Sequence, residues 1–250
     1  MSTEFINLTE ENLPQEHLCC IIRSKKPHPG IEAKRNWLAA RLQEGHGFRK
    51  LDVRGCVFIE YAPLEKAWTP VDGANYLYIY CLWVQGAPRG HGYARQLLEH
   101  CLADARAQGR SGVCMLGAAK QKAWLSDQAF AKKHGFRTVD TAGEYELLAC
   151  SFDDSLPHFT QAAKRQTIPE QGLVIYYSDQ CPYIPQRVEK LREYCAAHEI
   201  PAQFIHVDTL EQAKALPCVF QNWAVFYNGK FITVNQIDGA ALERLMKKEG

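Results

Sequence analysis

The chain has 250 residues, 46% of them apolar, with 29 Lys and Arg against 28 Asp and Glu. That length fits one medium domain plus one small one, and the apolar content excludes a disordered chain. Divided after residue 152, the first part carries 19 basic against 16 acidic residues and the second 10 against 12, so neither offers a general nucleic-acid surface. No stretch approaches the roughly 18 uninterrupted apolar residues of a membrane span. The start, MSTEFINLTEENL, has no basic region followed by an apolar one, so no signal peptide is expected. Of the ten Cys, Cys56, Cys81, Cys101 and Cys114 sit inside apolar runs and read as small buried hydrophobes. A cytoplasmic location with reduced thiols follows, and no metal site is expected.

In chain order, Phe5–Leu8 is a strand candidate, and Thr9 to Asn12 offers helix-start chemistry for a helical stretch to about Arg23. Lys25-Lys26-Pro27-His28-Pro29-Gly30 must be a loop. Ile31–Gln43 reads as a helix with Trp37, Leu38 and Leu42 inward. Phe48–Val53, Cys56–Tyr61 and Tyr76–Val84 read as strands. Gly90–Gln108 then carries Ala94, Leu97, Leu98, Cys101, Leu102 and Ala105 at helical spacing. Val113–Leu116, Phe136–Val139 and Glu144–Phe152 read as strands, with a helix over Trp124–His134. Residues 153–171 hold turn formers and charges and read as a linker. A second unit, 172–250, runs strand, helix, strand, short helix, hairpin, helix, with Asn228-Gly229 as the hairpin turn and Asp238 as the last helix cap.

The informative feature is Arg89-Gly90-His91-Gly92-Tyr93-Ala94, between an apolar strand and an amphipathic helix. Unpaired amides and the dipole at a helix start attract an anion, and glycines let the backbone approach it. Together they make a pyrophosphate cradle. A dinucleotide-binding fingerprint needs G-x-G-x-x-G, which the spacing of Gly86, Gly90 and Gly92 does not provide, and a P-loop needs GK[ST], which is absent. The alternative is a tight turn with no ligand.

R-G-H-G-Y-A resembles the R/Q-x-x-G-x-G/A signature of the GNAT acetyltransferases, with Leu82-Trp83-Val84 at the strand end before it and Lys133-His134-Gly135-Phe136 similar to the family's later helix-to-strand junction. The resemblance covers roughly residues 3–152, giving a domain over 1–152. It implies an α/β fold: a GNAT fold, with a mixed, mostly antiparallel sheet flanked by helices. It further implies acetyl-CoA as cofactor, with Leu82, Trp83 and Val84 pairing the pantetheine arm and Gly90, His91, Gly92, Tyr93, Ala94 and Arg95 holding the pyrophosphate after Arg89 opens the signature. An exposed Arg95 on the helix surface is the other reading of that residue.

Acetyl transfer to an amine needs a base, an oxyanion donor and an acid for the leaving thiolate. The tyrosine that often serves as that acid in the family is replaced by Ala131, and a cofactor-contacting Asn by Trp124. Ser126 is a candidate cofactor contact, although Ser126 and Asp127 also read as helix caps. Glu60, in the apolar strand Val57 to Tyr61, is the first choice of base, its pKa raised toward neutrality by burial. The opposing reading pairs it with a cation such as Arg54. Tyr78 and Tyr80 are candidates to line the acceptor pocket or donate a proton, or else belong to a structural aromatic stripe. Cys81 is expected on the opposite face.

The second unit resembles a small thioredoxin-like α/β domain, with Cys181-Pro182-Tyr183-Ile184 where that family carries C-x-x-C. A thiol there would be acidified by the helix start, but Ile184 excludes an intramolecular dithiol. The two-unit arrangement resembles the YoaP-type bacterial acetyltransferases. The implied activity is transfer from acetyl-CoA to the amine of a small-molecule acceptor by direct attack in a ternary complex. The expected partners exclude nucleic acid and membrane, with a homodimer as the oligomer kept open. The alternatives are a CoA-binding or thiol-recognition protein without transferase activity, and single-thiol redox or acyl-carrier chemistry at Cys181.

Overall fold

Apolar runs become strands where they can pair, and the helices begin where a cap or a glycine lets them. The computed structural model describes residues 4–20, 28–53, 56–73, 75–122 and 124–249. The first unit runs β1 (Phe5–Asn7), α1 (Gly30–Leu42), β2 (Gly47–Leu51), β3 (Cys56–Pro63), β4 (Val71–Asp72), β5 (Tyr76–Gln85), α2 (Tyr93–Ala107), β6 (Gly112–Ala118), α3 (Gln128–Lys133), β7 (Arg137–Ala142) and β8 (Tyr145–Ser151). After β9 (His158–Phe159) and α4 (Gln161–Arg165), the second unit runs β10 (Leu173–Tyr177), α5 (Ile184–Ala197), β11 (Ala202–His206), α6 (Leu210–Ala215), β12 (Trp223–Tyr227), β13 (Lys230–Thr233) and α7 (Gly239–Glu249).

The large sheet has the order β1-β2-β3-β5-β6-β8-β7. Its neighbours are antiparallel except β5 and β6, which run parallel. One face packs on α2 through Leu97, Leu98, Cys101 and Ala105, the inward stripe read from the sequence. The other face is covered by α1 and by the second unit: Trp37, Phe58, Tyr78 and Tyr80 share a core with Val174, Val219, Phe220 and Phe226. The second unit has its own sheet, β11-β10-β12-β13, whose far face packs on α5 and α7. Only β10 and β11 are parallel in it.

The two units are tied by directed polar contacts as well as by apolar area. Lys214 Nζ donates to the carbonyls of Leu64 and Val71, both at 2.8 Å, and Thr69 Oγ1 donates to Phe220 O at 2.8 Å. Gly30, at the start of α1, lies so close to the Cys181-Pro182 turn that an added Cβ would fall 1.8 Å from Pro182 O. The sequence read 153–171 as linker, and the structure places secondary structure there: β9 pairs with β4, Phe159 is buried, and Thr160 caps α4 by accepting from Ala163 N. Asp140 fastens this strap by accepting from Phe159 N at 2.8 Å and pairing with Lys164 at 2.7 Å.

Three helix expectations change. The stretch from Thr9 makes turns and no helix as far as Cys20, with Thr9 and Asn12 closing on each other through their side chains and Pro14 lacking an amide. Arg23, Lys25, Lys26 and Pro27 lie outside the described residues, as do Arg54 and Gly55. The α2 helix starts at Tyr93 rather than Gly90 because Gly90 and Gly92 take left-handed φ of 82° and 76°. The α3 helix starts at Gln128 because Asp127 is its cap, accepting from Phe130 N at 3.0 Å, so Trp124 falls in the turn before it.

Candidate active site

A cleft beside the end of β5 is built from backbone. The parallel β5–β6 pairing runs from Tyr76–Gly112 to Ile79–Met115, while β5 continues to Gln85 and β6 to Ala118. The strands therefore part beyond Ile79, leaving one edge of Leu82 to Val84 facing a gap. Leu82 N donates across that gap to Ser126 Oγ at 2.9 Å. A cleft of about 580 Å³ lies along this edge, lined by Leu82, Trp83 and Val84, by the turn that follows, by Gln121, Lys122 and Leu125, and by Asp127 to Phe130.

At the far end of the cleft lies the glycine turn. The first main-chain bond of α2 is Gln96 N to Gly92 O at 3.1 Å, which leaves the amides of Ala94 and Arg95 without intrahelical partners. The N-cap residue of α2 is Gly92, which has no side chain to cap it. A Cβ at Gly90 would meet nothing within 4 Å, so packing does not require the glycine; its left-handed φ and the open approach to the backbone do. These features fit a bound diphosphate: open amides, a helix start and no carboxylate side chain from the turn. Arg89, Gly90, Gly92, Tyr93, Ala94 and Arg95 line the cleft. His91 does not: its ring turns back toward the Pro88 and Arg89 carbonyls, 3.3 and 3.0 Å away. Arg95 is largely exposed and pairs with Glu99 at 2.7 Å, so its charge is shared with a neighbour.

On the other side of the β5 end lies a second cavity of about 420 Å³, between the two units. Trp83 and Gln85 border both spaces. Among the described residues, the cavity collects side chains from eight stretches of chain, including Cys20, Lys34, Glu60, Cys81, Cys181 and Asn222.

Glu60 is buried, as expected, but its environment reverses the expected pKa. Lys34, itself buried, pairs with Oε1 of Glu60, and His46 Nε2 lies 3.0 Å from the same oxygen. Burial alone would raise the carboxyl pKa; the adjoining ammonium and the His46 hydrogen bond outweigh it and hold the carboxyl at about 2. His46 is pushed below its ordinary value by burial, against the pull of Glu60. Lys34 was not singled out in the sequence. The signal was there: it precedes Trp37 and Leu38 by three and four residues, on the same inward face of α1.

Tyr78 and Tyr80 do not line the cavity. Both are fully buried, their rings 5.2 Å apart, and the Tyr80 hydroxyl accepts from Trp68 N at 2.6 Å. Burial raises both phenol pKa values. They belong to the core between the units, which is the aromatic-stripe reading. Cys81 occupies the place expected for them, and the reason is a bulge. In the β3–β5 register Tyr61 pairs with Ile79 and Glu60 with Cys81, leaving Tyr80 as an extra residue. The extra residue reverses the alternation, so Cys81 and Trp83 share the face of Tyr78 and Tyr80.

One further expectation is corrected in the cavity wall. The Cys181 thiol is not acidified: it is three residues before the start of α5, and burial pushes its pKa up to about 12. Ala131 is buried in the sheet core, while Trp124 turns toward the second unit and donates to Asn235 Oδ1.

Residues 12–136 match the model of the acetyltransferase (GNAT) family, and residues 201–247 match the YoaP-like model. A Bacillus subtilis (strain 168) protein named "Uncharacterized N-acetyltransferase YoaP" is 35% identical over 246 residues, covering 97% of this chain and 98% of that protein. The chain belongs to the GNAT acetyltransferase family. It is an N-acetyltransferase of that family, with a YoaP-like C-terminal region. Solved structures of similar fold include the PaiA N-acetyltransferase of Thermoplasma acidophilum in complex with coenzyme A (17% identity, TM-score 0.44, 61% of this chain and 100% of that one). Another is a GNAT acetyltransferase of Brucella melitensis in complex with acetyl-CoA (13%, TM-score 0.41, 63% and 92%). Among the described residues, no helix of this acetyltransferase is long and apolar enough to cross a membrane.

Proposed function

We propose that this acetyltransferase binds acetyl-CoA in the cleft along β5 and acetylates the amine of a small molecule held in the cavity between the two units. The observation that carries this reading is the shared wall: Trp83 and Gln85, at the end of β5, border both spaces. Two reactants admitted from opposite sides would meet there, as direct attack in a ternary complex requires. Leu82 to Val84 would hold the pantetheine arm and the amides from Gly90 to Arg95 the pyrophosphate, with the Ser126 hydroxyl at the Leu82 amide. Bound there, the thioester supplies an activated acetyl group. The chain's own residues orient the acceptor and exclude water from it.

The second unit is proposed as a thioredoxin-like domain used as the outer wall of the acceptor site. Its strand order, with β10 between a parallel β11 and an antiparallel β12, supports that reading, as does the Cys181-Pro182 turn at the end of β10. With its thiol pushed up and no second Cys at Ile184, the turn serves as wall rather than redox centre.

The test is a pair of measurements on the full chain. Calorimetry with acetyl-CoA should show binding, and mass spectrometry of an amine library should show acetylated products. Filling the outer cavity with Gln236→Trp should remove transfer and leave acetyl-CoA binding intact. Undiminished transfer by that variant would place the acceptor elsewhere.

A further inference from the structure

The acceptor cavity is unusual in its charge. Among the described residues lining it, the charged side chains are Lys34 and Glu60, and they neutralise each other. The rest of the wall is aromatic, thiol and carboxamide; Gln180, Gln221, Asn222, Asn235 and Gln236 supply the amides from the second unit. Gln221 Nε2 donates to Tyr80 O, Asn222 Nδ2 to Gln180 Oε1 and Trp124 Nε1 to Asn235 Oδ1; a carboxamide both donates and accepts, so the atoms left over can pair with an amide-like edge but compensate no formal charge. We infer, building on the acceptor site proposed above, that the acceptor is an uncharged, amide-bearing molecule with a weakly basic amine, of the arylamine or α-amino amide class, and that it binds as the free base.

A protonated acceptor would need a group able to remove its proton. Away from the cavity Glu60 is flanked by Lys34 from α1, His46 from the turn before β2, Tyr80 and Cys81 from β5, and Cys20 from the N-terminal segment. Its charge is committed to Lys34. A strongly basic amine, with a pKa of about 10.4 as in lysine, is unprotonated in roughly one molecule in several thousand at pH 7, whereas an α-amino group, at about 8, is unprotonated in roughly one in ten. An incoming ammonium would also meet the Lys34 charge with no free anion to offset it. In the transfer, the new N–C bond forms as the thioester C–S bond breaks, and the proton lost by nitrogen ends on the departing sulfur. A free-base acceptor therefore requires no net proton uptake by the protein.

The experiment uses the full chain, acetyl-CoA and three acceptors: 4-aminobenzamide, 4-(aminomethyl)benzamide and spermidine. At pH 7, kcat/KM should be at least about tenfold higher for 4-aminobenzamide than for the other two. Its profile should be flat from pH 6 to 9, whereas that of 4-(aminomethyl)benzamide should rise about tenfold per pH unit up to its own ammonium pKa. The inference is overturned if either basic amine is used equally well at pH 7, if none of the three is acetylated, or if the 4-(aminomethyl)benzamide profile levels off two or more units below its own pKa, which would reveal a base on the protein. The Gln236→Trp variant separates the two readings. An unchanged KM for 4-aminobenzamide in that variant removes the cavity assignment, while the wild-type profiles still decide the amine class.

Discussion

The cleft along β5 and the cavity between the two units lie on opposite sides of the same strand end, yet they are made differently. The cleft comes from one continuous stretch, β5, the glycine turn and the start of α2, closed by the segment before α3. Its chemistry is carried by main-chain amides. The cavity is assembled from α1, β3, β5, the N-terminal segment, Trp124 and three separate segments of the second unit, and its chemistry is carried by side chains. A backbone site tolerates sequence change outside its glycines, whereas a side-chain site is set residue by residue. The cleft is thus set by backbone geometry and the cavity by individual side chains.

The largest expected effect tests the cavity. Lys34→Met would leave the Glu60 charge buried and unpaired and should cost about 3–5 kcal/mol of stability, read by guanidinium unfolding. Adding Glu60→Met should recover most of that loss; failure to recover would mean that packing, not charge, dominates there. The same site sets a pH dependence. His46 and Glu60 both have depressed folded pKa values, so the stability they confer is present above the unfolded values and is lost on acidification, first below about 6.5 and then from about 4.5 down to about 2. Lys34→Met should flatten the lower part of that profile.

Next is the cleft. Gly90→Val with Gly92→Val forces β-branched residues into left-handed φ, about 1–3 kcal/mol each. Acetyl-CoA affinity should fall by about tenfold or more in calorimetry, while acceptor-side thermal shifts are unaffected. A comparable loss of both would break the separation between the two sites. Gly30→Ala addresses the seam between the units: its Cβ would strike Pro182 O, for an expected loss of about 1–3 kcal/mol in Tm-derived stability. Ser126→Ala should have the smallest effect, about 1 kcal/mol from the lost bond to Leu82 N.

The cleft was legible because its signals are local. The pattern R-G-H-G-Y-A after an apolar strand specifies a turn and a helix start, and the turn brings those residues together wherever the chain goes next. The misread parts were those that depend on what packs against what. Tyr78 and Tyr80 could not be placed from alternation, because one bulge residue reverses the face of everything after it. The pKa of Glu60 could not be assigned, because burial and an ion pair push in opposite directions and only Lys34, 26 residues away in sequence, decides which wins. Cys181 looked activated by a helix start that in fact begins three residues later.

The sequence by itself determined the family, the main strands and helices, and the glycine turn before α2. These rest on periodicity and glycine placement, which act over a few residues. Only the tertiary structure decided that the second unit covers the open face of the first sheet, that the space between them is a neutral cavity walled by thiols and carboxamides, and that Trp83 and Gln85 stand between it and the cleft. Those facts depend on long-range packing of side chains, which a single sequence does not encode at any fixed spacing.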